Sequence, residues 1–293
     1  MFYLKRILLL GANGQLGTDI QKVFSLSSQY EIVPVYRSQL DVENDDIASF
    51  LGHVNDFDIL INCTSYHKTD ECEDFPEKSF AVNSLAVLEI AKYCNAHHKT
   101  LFHITTDYLF DGKGNRPYRE DDQPNPLSVY GNSKLSGEHF IKAYHDGYFI
   151  FRVSSLFGKA GASGKGGNFV ETMINLAKQG KTIRVIDDQV MSPTHTLDIA
   201  KAIHTFIEQE IDSYGVYHCS GEGECSWHDF AAEIFKEINA DVDLIPVPHT
   251  SYQTKANRPL YSVLDNSKLN RIHQMPDWQD SLTDYLKLKG HLS

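Results

Sequence analysis

Lys5-Arg-Ile-Leu-Leu-Leu-Gly-Ala-Asn-Gly-Gln-Leu-Gly17 is the stretch from which the architecture of this chain can be built. Residues 5–10 end in four apolar side chains and read as a strand. Gly11, Gly14 and Gly17 follow at once, and a helix is expected from there to about Leu26. The glycines allow a tight turn and let backbone N–H groups approach a pyrophosphate, whose charge the helix N-terminus favours. Three spaced glycines alone say little; their place between a first strand and a first helix gives them content.

Working outward, residues 32–36, 58–62, 101–105 and 148–153 read as further strands. A short helix is expected at 47–51, a longer one at 79–95, and another from near Tyr130. Strands alternating with helices imply right-handed crossovers and a parallel sheet covered on both faces. The fold class expected is α/β, a Rossmann-type doubly wound parallel sheet with a smaller C-terminal substrate-binding lobe. In the second half, helices are expected at 169–179, at 196–210 with Ser192 or Thr196 as its cap, and at 226–238 capped by Ser226. Residues 215–219 read as a strand. Two prolines in 244–248 exclude a central strand there. Residues 158–167 hold five glycines and are expected to form a mobile lid. The expected division is 1–155 for the NAD(P)-binding domain and 156–293 for a substrate lobe interleaved with the end of the main sheet.

The bulk numbers agree with an ordinary globular protein. The 293 residues are 41% hydrophobic and 23% charged, and the formal net charge is −12. An acidic balance argues against a nucleic-acid or anionic-membrane surface, while leaving room for a local basic pocket. No segment approaches the roughly 18 apolar residues of a membrane span. Lys5-Arg6 is followed by only four apolar residues before Gly11, too few for a signal peptide, so a cytoplasmic setting is expected. Cys63, Cys72, Cys94, Cys219 and Cys225 lack metal-ligand spacing and read as reduced thiols. The histidines at 67, 97, 98, 103, 195, 218 and 228 are likewise scattered; His67 alone is expected near a substrate.

Three side chains suggest chemistry. Tyr130 and Lys134 are four apart near the start of a helix, which puts phenol and ammonium on one face. Reducing a carbonyl requires a proton for the nascent alkoxide. A free tyrosine, at a pKa of about 10, is a reluctant acid–base, and a neighbouring cation is expected to favour its phenolate. Thr106 ends the fourth strand, at the sheet edge where ligands bind, and is placed to hydrogen-bond a substrate carbonyl. The second strand ends in Arg37-Ser38 without an acid. Arg37 is therefore a candidate partner for a 2′-phosphate, so NADP is expected, with NAD left open. Asp41 and Val42, just beyond, are expected to cover the adenine.

Together these features resemble an extended short-chain dehydrogenase/reductase and, more narrowly, the dTDP-4-dehydrorhamnose reductase family. Matching stretches run nearly the whole chain: Gly11 to Gly17, Asp41-Val42, Asn62, Asp70 to Glu73, Asn83, Thr106 to Phe110, Pro126 to Lys134, Phe151-Arg152, Asn168-Phe169, Ser192 to Thr194, and Arg258-Pro259. The resemblance implies hydride transfer from NAD(P)H to C4 of a nucleotide-linked 4-keto-6-deoxysugar, most plainly dTDP-4-dehydrorhamnose. It implies that Thr106, Tyr130 and Lys134 are catalytic. Gly11, Asn13, Gly14, Gln15, Leu16 and Gly17 would hold the pyrophosphate. Thr64, Ser65 and Tyr66 would pass the nicotinamide side, with Tyr130 and Lys134 also touching cofactor. Thr106, Asp107, Tyr130, Ser155 and Arg258 would face the sugar nucleotide.

The departures are specific. Ser155 stands where the family usually has a tryptophan packed on the sugar, so the exact sugar is left open. Cys63-Thr64-Ser65-Tyr66-His67 replaces the usual Ala-Ala-x-Thr. Tyr108 stands where related dehydratases carry a glutamate, which argues against elimination chemistry. Some members bind Mg²⁺ at a dimer interface. Asp19 lies near one such position, but Leu197 stands at another, so no metal is expected; a homodimer is left open. Two other readings exist on this fold: a non-catalytic subunit like the regulatory one of methionine adenosyltransferase, and a nucleotide-sugar epimerase. The presence of Thr106, Tyr130 and Lys134 favours chemistry over the first. An epimerase keeps its cofactor, whereas a reductase releases it each turnover.

Overall fold

The computed structural model describes residues 4–114, 116–161 and 167–292. The chain forms strands β1 (Lys5–Leu10), β2 (Tyr30–Val35), β3 (Ile59–Asn62), β4 (Thr100–Thr106) and β5 (Tyr148–Val153). Then come β6 (Leu156–Phe157), β7 (Ile183–Ile186), β8 (Val190–Met191), β9 (Thr194–His195), β10 (Gly215–His218), β11 (Cys225–Ser226) and β12 (Leu244–Val247). Six of them build one sheet in the order β2-β1-β3-β4-β5-β10. Every pairing in it is parallel. Because β1 has β2 on one side and β3 on the other, the strand order reverses at β1. In open α/β sheets a ligand crevice lies at that point, outside the carboxyl ends of the strands.

The helices are α1 (Gln15–Phe24), α2 (Ile47–His53), α3 (Thr69–Asp74), α4 (Pro76–Phe80), α5 (Ala86–Ala96), α6 (Val129–Tyr144), α7 (Phe169–Ala177), α8 (Thr196–Glu208), α9 (Trp227–Glu237) and α10 (Trp278–Lys289). The unbroken apolar run of β1 follows from its burial on both faces. Ile7 and Leu9 pack with Ile20 and Phe24 of α1 and with Ile199, Ile203 and Phe206 of α8. Leu8 and Leu10 pack on the other side with Leu51 of α2, Ile90 of α5 and Ile141 of α6. A separate core joins Met173 of α7, Val185 of β7, Phe230 of α9 and Leu282 of α10.

Two expectations change. The helix expected at 79–95 is interrupted by a π-helical turn at Ala81–Leu85. Neither Ser192 nor Thr196 caps α8, whose N-cap is His195 with no side-chain cap bond. Those hydroxyls serve tertiary contacts instead: Thr196 Oγ1 donates to Asp19 Oδ2 at 2.5 Å and Ser192 Oγ to the Gly223 carbonyl at 2.8 Å. Of the glycine-rich segment 158–167, residues 162–166 lie outside the described residues.

Ser226 does cap α9, with Asp229 completing a capping box. The proline-bearing β12 pairs only with β7, in a two-stranded sheet. The main sheet draws on both sides of residue 155, since β10 is its edge strand and α8 covers one face. None of the five cysteines, all among the described residues, is in a disulfide. No helix among the described residues is long and apolar enough to cross a membrane.

Candidate active site

The glycine turn is shaped by two close approaches. Gly11 has φ +76°, which disfavours any side chain, and its α-carbon faces the Cys63-Thr64 backbone after β3. A Cβ on Gly17 would stand 2.4 Å from the Gly11 carbonyl oxygen, so only glycine lets α1 start this close to the turn. Gln15, in the first turn of α1, has its Oε1 buried without a partner among the described residues. A cradle with free helix N–H groups and an unused polar atom fits a dinucleotide pyrophosphate.

The segment after β3 is fixed by two buried asparagines. Asn62 Oδ1 accepts from the Thr64 amide at 3.0 Å and from its hydroxyl at 2.6 Å. Asn83, inside the π-helical turn, accepts from the Tyr66 amide at 2.9 Å and from Ser65 Oγ at 3.3 Å. Its Nδ2 donates to the Tyr66 carbonyl and to Ser133 Oγ, both at 3.0 Å. One residue thus ties the 65–66 segment to α6, which carries Tyr130 and Lys134. π-Turns often mark such functional positions.

α6 begins under control from both sides. Ser128 caps it by accepting from the Gly131 amide, and Glu73 of α3 accepts from the Val129 amide at 2.8 Å. A Cβ on Gly131 would sit 2.4 Å from the Tyr108 carbonyl oxygen, so the helix start lies flush against the strand-end loop. Tyr108 and Tyr130 meet edge to face at 6.0 Å. Lys134 is buried and donates to the Ile104 carbonyl at 2.7 Å. Burial lowers its pKa to about 8, against the raising pull of Glu138 and Cys63. Burial pushes the Tyr130 phenol above the ordinary tyrosine range, while the Thr106 and Ser65 hydroxyls beside it act the other way. In the ligand-free protein, therefore, burial and not Lys134 dominates the tyrosine, and the phenol is held protonated.

Asp107 is buried behind this layer. It accepts from Ser262 Oγ at 2.6 Å, from Ser154 Oγ at 3.0 Å and from Thr106 Oγ1 at 3.0 Å. Burial raises its carboxyl pKa, with those hydroxyls opposing. Its contacts orient Thr106 and join β4 to the C-terminal lobe. Arg258 reaches the cleft from that lobe and pairs with Asp70 of α3, Nη2 to Oδ2 at 2.8 Å. Ser155 follows β5 with φ +45°.

The positions nominated from the sequence line one cleft of about 990 Å³: Gly11 and Asn13 to Gly17 of the turn, Arg37, Asp41, Val42, Thr64 to Tyr66, Thr106, Asp107, Tyr130, Lys134, Ser155 and Arg258 among them. Arg37 is largely exposed and pairs with Asp41 at 3.1 Å and Glu43 at 3.3 Å. His67 lines the cleft, whereas His103, His195 and His218 are buried elsewhere. The sequence did not nominate Lys78, Asn168, Phe169, Thr172 or Trp227, which also line it. Phe169 and Trp227 pack with ring centroids 4.8 Å apart. In the sequence Trp227 stands only at the start of a helix, and Phe169 at the start of another and in a stretch matching the family, with no site role attached to either. No cluster of metal-ligating side chains occurs among the described residues.

A parallel sheet with a glycine turn at its switch point, and a Tyr–Lys pair facing that turn, define an oxidoreductase of the extended short-chain dehydrogenase class. The family model described as RmlD substrate binding domain matches residues 5–290. The chain belongs to this family, that of the dTDP-4-dehydrorhamnose reductases. It is 35% identical over 289 residues to the dTDP-4-dehydrorhamnose reductase of Aggregatibacter actinomycetemcomitans, covering 94% of this chain and 97% of that one. It is 33% identical over 284 residues to the spore coat polysaccharide biosynthesis protein SpsK of Bacillus subtilis, covering 96% and 97%. Among solved structures, dTDP-4-dehydrorhamnose reductase from Bacillus anthracis in complex with NADP superposes with a TM-score of 0.90 at 35% identity, covering 97% and 99%.

Proposed function

We propose that this chain reduces the C4 ketone of a nucleotide-linked 4-keto-6-deoxysugar, dTDP-4-dehydrorhamnose being the expected substrate, using NADPH and also NADH. The observation that carries this reading is that Thr106, Tyr130 and Lys134 line the same cleft as the glycine turn. Bound NAD(P)H would supply the hydride. Gly11 to Gly17 would hold its pyrophosphate, Asp41 and Val42 its adenine, Arg37 its 2′-phosphate, and Thr64 to Tyr66 its nicotinamide side.

The proton is the protein's own contribution. Tyr130 is protonated at rest, the state an acid needs, and gives its proton to the oxygen formed at C4. The Thr106 hydroxyl, which rests on Asp107 Oδ1, turns its one proton to that oxygen when the ketone is bound. The ammonium of Lys134 sits behind the phenol and lowers the cost of the phenolate that remains. Its protons not engaged by Ile104 are free for the ribose. The lobe built after residue 155 takes the sugar nucleotide. Phe169 and Trp227 supply the aromatic wall on its side of the cleft, where Ser155 leaves room, and Arg258 faces the same space. The setting we infer is the cytoplasm, and a homodimer is compatible with the reading.

The test is a panel of 4-keto nucleotide sugars incubated with NADPH or NADH, read by cofactor oxidation and by product stereochemistry. Reduction at C4 of the dTDP-linked sugar is the expected result. Failure to oxidise either cofactor with any of them would remove the proposal.

A further inference from the structure

The outer corner of the cleft holds two cations where the sequence pointed to one. Arg37 follows β2, and its Nη2 lies 3.3 Å from Glu43 Oε2. Lys78, on α4, places its Nζ 2.9 Å from the same oxygen. Asp41 takes a second contact from Arg37 Nη2, at 3.1 Å. All four side chains line the cleft beside the end of β2. Glu43 is the most enclosed, its side chain 19% exposed against 67% for Arg37.

We propose that Glu43 is a cofactor-selectivity residue, and that Lys78 is the second cation of a 2′-phosphate subsite that Glu43 occupies in the free protein. The proposal rests on the dinucleotide reading of the cleft. One carboxylate oxygen bridging a guanidinium and an ammonium stands where a phosphate oxygen would make the same two charge-assisted bonds. Glu43 and Asp41 match the two cations, and Asp45 adds a third carboxylate at the Asp41 amide, 2.7 Å away, so a 2′-phosphate gains no free attraction on arrival. It must displace Glu43 from both partners. An unphosphorylated ribose needs no displacement, because its 2′-hydroxyl can donate to a carboxylate at this strand end. The corner therefore admits both cofactor forms and favours neither strongly. Because the pairs are partly open to water, each is worth little singly and is screened by salt.

The experiment is direct titration of the whole chain with NADPH and NADH, with 2′,5′-ADP and 5′-AMP as fragment probes. Glu43→Gln is expected to tighten NADPH and 2′,5′-ADP about two- to fivefold while leaving NADH and 5′-AMP unchanged or weaker. Lys78→Met is expected to weaken NADPH by a similar factor without touching NADH. The gain from Glu43→Gln should shrink at high salt. Equal shifts for both cofactors, no shift in either, or a Lys78→Met variant that binds NADPH as before would overturn the proposal. Wild-type protein that binds neither dinucleotide would instead remove the reading of the cleft on which it stands.

Discussion

The two ends of the cleft are built on opposite principles. At the reaction end, Lys134 and Asp107 are buried and are held by neutral partners: a carbonyl for the lysine, three hydroxyls for the aspartate. At the adenosine end, Arg37, Lys78, Asp41 and Glu43 are partly exposed and hold one another by ion pairs. Burial changes what a group is, moving Lys134 to about 8. Exposure leaves a group what it is and makes its contacts exchangeable. On the proposed reading, chemistry sits at the first end and selection at the second.

Five measurements can break or sharpen this contrast, and the largest effects belong to the buried end. Tyr130→Phe keeps the ring and removes the proton, so turnover is expected to fall about 10²- to 10⁴-fold with dinucleotide binding retained. Near-normal turnover in that variant would place the acid elsewhere.

The pH profile comes next. Lys134 has a lowered pKa, so its charged form is present below about 8 and lost as pH rises through that value. The kcat/KM for the dinucleotide, which reports the free enzyme, should decline above it, approaching tenfold per pH unit. In Lys134→Met that limb should vanish from an already weakened activity.

Asn83→Ala leaves the half-buried Tyr66 amide without its acceptor. It is expected to cost about 1–3 kcal/mol of stability. Because it also loosens the 65–66 segment beside Tyr130, kcat should fall in the soluble fraction, and thermal melting run beside kinetics separates the two effects.

Trp227→Ala should raise the KM for the sugar nucleotide about two- to tenfold while leaving that for NADPH alone. A shift confined to the cofactor would remove the tryptophan from the substrate wall.

The smallest effect is expected at the exposed end. Arg37→Ala should weaken NADPH only about two- to fivefold, since its guanidinium is open to solvent and already shared between two acids. A hundredfold loss would show that this end is as dehydrated as the other, and the contrast would fall.

What could be read in the sequence was what is local. The glycines of the turn lie within seven residues, and Tyr130 and Lys134 lie on one helix face, so spacing alone brings out their chemistry. The strands of the sheet announce themselves as apolar runs because both faces are covered. Contacts between distant segments leave no such trace. Asp70 and Arg258 are 188 positions apart, and nothing in either neighbourhood predicts their pairing. Lys78 and Trp227 lie on short or amphipathic helices whose periodicity describes packing, not what the exposed side faces. Thr196 shows the same limit in reverse. Its position suits a cap, yet the buried Asp19 takes its hydroxyl. The π-helical turn at Asn83 was hidden because its apolar spacing reads as an ordinary helix.

The sheet's last strand has a consequence for how the chain is made. β10 comes from residues 215–218, and the helix that covers Ile7, Leu9 and Phe151 on one face is α8, from residues 196–208. Domains generally fold as units during synthesis, at about 5–20 residues per second. A growing chain that has reached residue 155 already carries the glycine turn, Thr106, Tyr130 and Lys134. It still has an apolar sheet face covered by α1 but not by α8, and an unpaired edge on β5, the features that make nascent chains stick to one another. The nucleotide half must wait several seconds for more than sixty further residues before it can close, and in that interval a chaperone has its opportunity.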